Sequence, residues 1–236
     1  LYLDSGSILK EFLNEGACLD FCYDVTNTDL LVERIEACGD SLACVVVECP
    51  TNPLVQVADL PRISAVVRAN GGILMVDPTI ASIYNIDALP HADILTTSLT
   101  KYAAHEGDLM IGALALNSSS PYYSDLILRV SAFHQAPYFR DLARLAYQMK
   151  SAAEQVGMMN SNARRIADYL CNHSVIKEVH YTAFSPHFTD VAKSEYSGGA
   201  VVTFELKGGI DSFYEALRLM KGPSFGTVFS LASPFI

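Results

Sequence analysis

Three polar clusters in this chain have residue types that can do chemistry: Glu48-Cys49-Pro50-Thr51-Asn52-Pro53, Val76-Asp77-Pro78-Thr79 and Ser98-Leu99-Thr100-Lys101-Tyr102. A lysine held near apolar groups has its amine pKa lowered and becomes a nucleophile for carbonyl compounds, the start of Schiff-base chemistry. Lys101 follows an apolar run and two hydroxyl residues. Ser98 and Thr100, with the backbone N–H groups around them, offer donors to a phosphate. Asp77 closes the run Ile73-Leu74-Met75-Val76. A carboxylate buried there needs a cation or hydrogen-bond donors, and a protonated pyridine nitrogen is one such cation. Taken singly, each has a plainer reading: a solvated surface lysine, a hydroxyl-rich turn, a capping aspartate. Their coincidence is the informative feature.

The elements that would position these groups are legible in the hydrophobic pattern. Cys44 to Glu48 is a continuous β-branched run, which predicts a strand buried on both faces. Ile73 to Val76, Asp93 to Thr97 and Met110 to Leu116 read as further strands. Between them, Leu31 to Cys38 reads as a short helix, and a second helix starts at Asp59-Leu60-Pro61, with Asp59 as N-cap. That helix stops at Asn70-Gly71-Gly72. Strands joined by helices predict a mostly parallel sheet covered on both sides, with ligands outside the carboxyl ends of the strands. All three clusters fall at such ends. Asp77 and Lys101 terminate successive strands 24 positions apart, one crossover, so both can face a single cavity. From Phe139 to Leu170 the pattern is helical, weakened locally by Gly157. Strands at Val175 to His180 and Ala200 to Leu206 follow, then a helix from Ile210 to Met220. The predicted organisation is a larger unit over residues 1–138, and a connecting helix with part of a smaller α+β domain over 139–236.

The 236 residues carry 16 Lys and Arg against 26 Asp and Glu, a net charge of −10, and are 50% hydrophobic and 18% charged. This excludes a disordered tail and argues against a nucleic-acid partner. Apolar runs fall far short of the ~20 residues of a membrane span, and no secretory signal is visible. The six cysteines show no paired C-x-x-C spacing, which predicts reduced thiols and a cytoplasmic location. Cys44 and Cys49 read as buried thiols. The sequons at Asn117 and Asn172 read as chance matches. The six histidines lack metal-ligand spacing, so no metal is expected and they read as surface or loop residues. Met149, Met158 and Met159 read as helix packing. Leu1 and the apolar ending Ser233-Pro234-Phe235-Ile236 suggest part of a longer protein.

In order, spacing and strand context, the three clusters resemble the Cys/Met-metabolism enzymes that use pyridoxal 5'-phosphate, the cystathionine γ-synthase and homoserine sulfhydrylase group. The resemblance covers nearly the whole chain, and Lys221-Gly222-Pro223-Ser224-Phe225-Gly226-Thr227 looks like the group's Ser-Leu-Gly stretch. It implies the aspartate-aminotransferase-like fold type I, an α/β fold. It also implies roles: Lys101 for the Schiff base and proton transfers, Asp77 for the pyridine nitrogen, Ser98 and Thr100 for the phosphate. Asn52 would sit near the cofactor's 3-hydroxyl, Tyr2 would stack on the ring, and Ser224 would lie near Lys101 and the substrate carboxylate. Glu48 matches the motif without an assigned role. The sequence departs from the group at His105-Glu106-Gly107-Asp108, where Gly-His-Ser-Asp is usual and only the aspartate keeps its place. The group's N-terminal phosphate loop, the Tyr and Arg donated to a neighbouring subunit, and its C-terminal carboxylate-gripping arginine lie outside this sequence.

The implied activity is trans-sulfuration: γ-replacement on an O-acylhomoserine by a thiol such as cysteine, or by sulfide. A β- or γ-lyase of the same fold, and a truncated chain that binds the cofactor without turnover, are the alternatives. The resemblance also implies a homotetramer built as a dimer of dimers.

Overall fold

The computed structural model describes residues 3–235. Before the main sheet come helices α1 (Leu3–Glu11) and α2 (Thr28–Cys38). The sheet region comprises β1 (Cys44–Glu48), α3 (Leu60–Ala69), β2 (Ile73–Asp77), β3 (Ile94–Ser98) and β4 (Gly112–Leu116). Helices α4 (Tyr123–Phe133) and α5 (Phe139–Cys171) follow. The remainder holds β5 (Ile176–Tyr181), α6 (Phe188–Val191), β6 (Val202–Leu206), α7 (Ile210–Ala216), β7 (Met220–Lys221) and β8 (Leu231–Ala232). The strands β1-β2-β3-β4 form one sheet in that order, the first three parallel and β4 antiparallel to β3. Two small two-stranded sheets, β5-β6 and β7-β8, lie in the last third.

Local chemistry sets the helix boundaries. The Asp59 carboxylate accepts from the Arg62 N–H at 3.0 Å and starts α3; Gly71, at φ 73°, turns the chain into β2. The Asn27 side chain accepts from Leu30 N at 3.1 Å, so α2 begins three residues before the expected Leu31. The main core joins Leu60, Ile63 and Val67 of α3 to Val47, Leu74 and Val76 of the sheet. Each such side chain, fully withdrawn from water, contributes about 1.5–3 kcal/mol.

Several expectations need correction. β1 is an edge strand among the described residues, so only its carboxyl end is buried, and Cys44 is exposed while Cys49 is not. β4 starts at Gly112 rather than Met110, and its first three residues are exposed, so the sheet is not covered on both sides there. Helix α7 stops at Ala216 instead of continuing to Met220: Leu217 is extended, and the Lys221 ammonium donates to the carbonyls of Tyr214 and Leu217. Helix α5 passes through Gly157 without interruption, and its buried stripe runs Leu145, Gln148, Ala152, Val156, Asn160, Ala163, Ala167. Met149 and Met158 fall beside that stripe and are exposed, so they are not packing residues.

Candidate functional site

Parallel pairing aligns Glu48 with Asp77 and Val76 with Leu95, which brings the carboxyl ends of β1, β2 and β3 to one edge of the sheet. The pivot there is Thr79. Its hydroxyl donates to Asp77 Oδ1 at 2.5 Å and accepts from the Ser98 N–H at 2.9 Å. Its backbone N–H donates to the same carboxylate oxygen at 2.9 Å. One threonine therefore ties the end of β2 to the end of β3. Burial pushes the Asp77 carboxyl above the ordinary range, and the two Thr79 bonds pull it back only in part. No Lys, Arg or His side chain among the described residues pairs with it.

Lys101 follows β3 directly. Its half-buried amine donates to Ser224 Oγ at 3.2 Å and lies 5.0 Å from the centroid of the Phe225 ring. Burial lowers its pKa, the direction a nucleophilic amine requires. The structure thus brings together Lys101 and Ser224, 123 positions apart in sequence. Tyr102 anchors the turn: its fully buried hydroxyl donates to Ile80 O at 2.5 Å and accepts from Ala200 N at 2.9 Å. Gly226, at φ 73°, permits the close approach, because a Cβ there would sit 2.8 Å from Tyr102 N.

The remaining expected residues are placed unequally. Ser98 is half-buried, and its hydroxyl has no protein partner among the described residues. The Thr100 hydroxyl faces β4 instead, donating to Ile111 O at 3.2 Å and accepting from Ile111 N at 2.8 Å. Asn52 is exposed at the tip of a loop closed by Thr51, whose backbone N–H donates to Gln56 O at 2.9 Å. Val55 in that loop holds φ 48°, a costly conformation for a β-branched residue, and is buried. Glu48 is buried beside Asp77. Tyr2 lies outside the described residues.

The departure after Lys101 also has a structural account. Asp108 accepts from Arg144 Nε and Gln148 Nε2, both at 2.7 Å, and Glu106 accepts from Arg144 Nη2 at 2.5 Å. The Glu106 N–H donates to Gln148 Oε1 at 2.9 Å. His105 is buried, not a surface histidine, with Nε2 3.2 Å from Ser151 Oγ. The loop is therefore clamped onto α5. Thr79, Gln148 and Phe225 were not singled out from sequence. Thr79 had a signal, since an Asp-Pro-Thr turn lets a carboxylate accept two residues ahead. Gln148 had none, because a helical glutamine reads as a surface residue.

The donor set fits pyridoxal phosphate. Among the described residues, a carboxylate without a cationic side-chain partner, an amine of lowered pKa and a hydroxyl without a protein partner share one strand-end edge. The profile of the Cys/Met metabolism PLP-dependent enzymes matches residues 1–234. An L-2-amino-4-chloropent-4-enoate dechlorinase/desaturase of Streptantibioticus cattleyicolor is 32% identical over 198 residues, covering 83% of this chain and 40% of that protein. A cystathionine gamma-synthase of Neurospora crassa is 30% identical over 241 residues, covering 100% of this chain and 39% of that one. The chain thus spans 39–40% of the length of these relatives. Among solved structures, a cystathione gamma lyase from Micromonospora echinospora matches with TM-score 0.85 at 24% identity, over 99% of this chain and 62% of the other. A cystathionine gamma synthase from Xanthomonas oryzae pv. oryzae matches with TM-score 0.83 at 23% identity, over 97% and 60%. The fold is therefore the fold type I architecture that the resemblance implied. With the profile match running through all three strand-end clusters, the chain belongs to the Cys/Met-metabolism family of pyridoxal-phosphate-dependent enzymes.

Proposed function

We propose that the whole protein catalyses trans-sulfuration, γ-replacement on an O-acylhomoserine by cysteine or sulfide. The observation that carries the chemistry is the Thr79 bridge, which puts the Asp77 carboxylate and the Ser98–Lys101 turn at one site. Similarity to the Neurospora crassa cystathionine gamma-synthase over 100% of this chain supports the synthase reading. Pyridoxal phosphate, when bound, supplies an electron sink for negative charge developing on the amino-acid substrate. Lys101 Nζ is the amine that holds the cofactor and, once released, takes the substrate α-proton. Asp77 keeps the pyridine nitrogen protonated. Ser98 would contribute a donor to the phosphate; Thr100, expected beside it, would have to leave Ile111, to which both its hydroxyl and its N–H are bonded. Asn52 would give a hydrogen bond near the 3-hydroxyl, and Tyr2 a stacking ring. Ser224 steadies Lys101 and the substrate carboxylate. Residues 1–138 form the cofactor-binding portion and residues 139–236 the connecting helix and part of the smaller domain. The working assembly is a cytoplasmic homotetramer, a dimer of dimers. Exposed apolar side chains on α4 and at the start of α5, Leu128, Phe133 and Phe139 among them, support assembly.

The test is pyridoxal phosphate titration, borohydride reduction and peptide mass mapping. A phosphopyridoxyl adduct on Lys101, absent in Lys101→Ala, is expected. Cystathionine formed from an O-acylhomoserine and cysteine supports the synthase. α-Keto acid and ammonia released without an added thiol point to a lyase, and an adduct without turnover to a non-catalytic chain. A folded protein that forms no adduct overturns the reading.

A further inference from the structure

Among the described residues, two groups face the Lys101 amine: the Ser224 hydroxyl, at 3.2 Å, and the Phe225 ring, whose centroid is 5.0 Å away. The ring is held from behind. It meets Tyr102 in an edge-on contact, centroids 6.1 Å apart and planes at 61°. Tyr102 is itself fixed by its buried hydroxyl, and Gly226 lets the segment press against Tyr102 N. Downstream, Val228 N donates to His105 O at 2.9 Å, so the segment is fastened to the lysine loop at both ends. A cation over an aromatic face is attracted by the ring quadrupole, and the attraction grows as water is excluded. Leucine, the residue in the family's Ser-Leu-Gly stretch, fills similar space and has no such face.

The other titratable groups on the elements packed here are engaged elsewhere among the described residues. Asp77 is bonded to Thr79, and the Tyr102 hydroxyl to Ile80 O and Ala200 N. His105 faces Ser151, Glu106 and Asp108 face Arg144, and Lys221 donates to the Tyr214 and Leu217 carbonyls. The stretch from Ser224 to Phe229 contributes no ionisable side chain.

We propose that Phe225 is a positioning residue for Lys101: its ring face and the Ser224 hydroxyl form a two-point clamp that favours the ammonium form of the free lysine. The clamp gives the released amine a defined parking place and sets the pH above which it acts as a base or nucleophile. This rests on Lys101 being the reactive amine of the site.

The experiment follows reductive methylation of Lys101 by formaldehyde and cyanoborohydride across pH, read by peptide mass mapping without pyridoxal phosphate. Wild type is compared with Phe225→Leu, Phe225→Met and Phe225→Tyr, each checked for folding by circular dichroism. Leucine and methionine keep the apolar cover and remove the ring. The expected result is a midpoint lowered by about half a unit to one unit in both, and restored in Phe225→Tyr. An unchanged midpoint in whichever of the two folds reduces Phe225 to packing and overturns the proposal. Borohydride trapping of pyridoxal phosphate on the same proteins separates the two readings. An adduct on Lys101 with an unmoved midpoint sinks the clamp alone, and a moved midpoint without an adduct sinks the cofactor reading alone.

Discussion

Asp77 is a carboxylate kept at an energetic disadvantage. Its folded-state pKa is raised by burial, so between the unfolded value near 3.8 and the raised value the folded state binds more protons than the unfolded one. Stability therefore falls as pH rises through that window, and the whole penalty is present at pH 7. Asp77→Asn keeps an oxygen to accept from Thr79 and removes the charge. It is expected to raise stability at pH 7 by about 1 kcal/mol, or about 2–4 °C in Tm, with the gain vanishing below pH 4. The same change weakens retention of pyridoxal phosphate, seen as slower borohydride trapping at Lys101. Thermal melts across pH check the first half; a lower Tm for the variant at pH 7 refutes it.

Two loop segments flank the Lys101 turn: residues 105–108, bonded to α5, and the stretch 224–229. The first depends on Gln148, which is 1% exposed and bonds both the Glu106 N–H and Asp108. Gln148→Leu leaves both loop partners to find water and is expected to cost about 2–3 kcal/mol in urea unfolding. Faster amide exchange confined to residues 105–108 would accompany it; exchange unchanged there refutes the clamp on α5. The second depends on Gly226. Gly226→Ala must both strain a left-handed φ of 73° and move Tyr102 N, whereas Gly16→Ala, at φ 87° with nothing within 4 Å of its Cβ, meets the strain alone. The expected losses are about 1–2 kcal/mol for Gly16→Ala and at least about 1 kcal/mol more for Gly226→Ala. Equal losses would mean that the close approach to Tyr102 carries no weight.

Across the molecule, the sheet region and the long helix are joined by a reciprocal amide pair. Asn85 Nδ2 donates to Asn160 Oδ1 at 2.9 Å, Asn160 Nδ2 donates to Asn85 Oδ1 at 2.7 Å, and Gly199 N donates to Asn160 Oδ1 at 3.1 Å. Both asparagines are buried. Asn160→Leu strands three polar partners and is expected to cost about 3 kcal/mol or more, while the double change with Asn85→Leu recovers part of it. A denaturant-based double-mutant cycle checks this, and strict additivity overturns it. Because α5 also carries Gln148 and Arg144, the pair couples the position of the lysine loop to the packing of the last third of the chain.

Much of this was legible in the chain itself. The β-branched runs, the Asp59 cap and the Asn70-Gly71-Gly72 stop specify strand and helix positions through local sterics and backbone hydrogen bonding, and the strand-end location of Asp77 and Lys101 follows from them. The 33-residue helix α5 was readable from its period. What needed the folded molecule were contacts between residues far apart in sequence: Glu106 and Asp108 with Arg144, Asn85 with Asn160. Ser224 beside Lys101 was implied by the family resemblance and not by local pattern. Periodicity says which face of an element is apolar, not which partner arrives there. Hence His105 read as a surface or loop histidine and Gln148 was not singled out, although packing buries both, and Met149 and Met158 read as packing although the stripe of α5 passes them by. The residue types set which chemistry is available. Tertiary packing decided which of those groups share a site, because only packing can bring together partners separated by a hundred residues of chain.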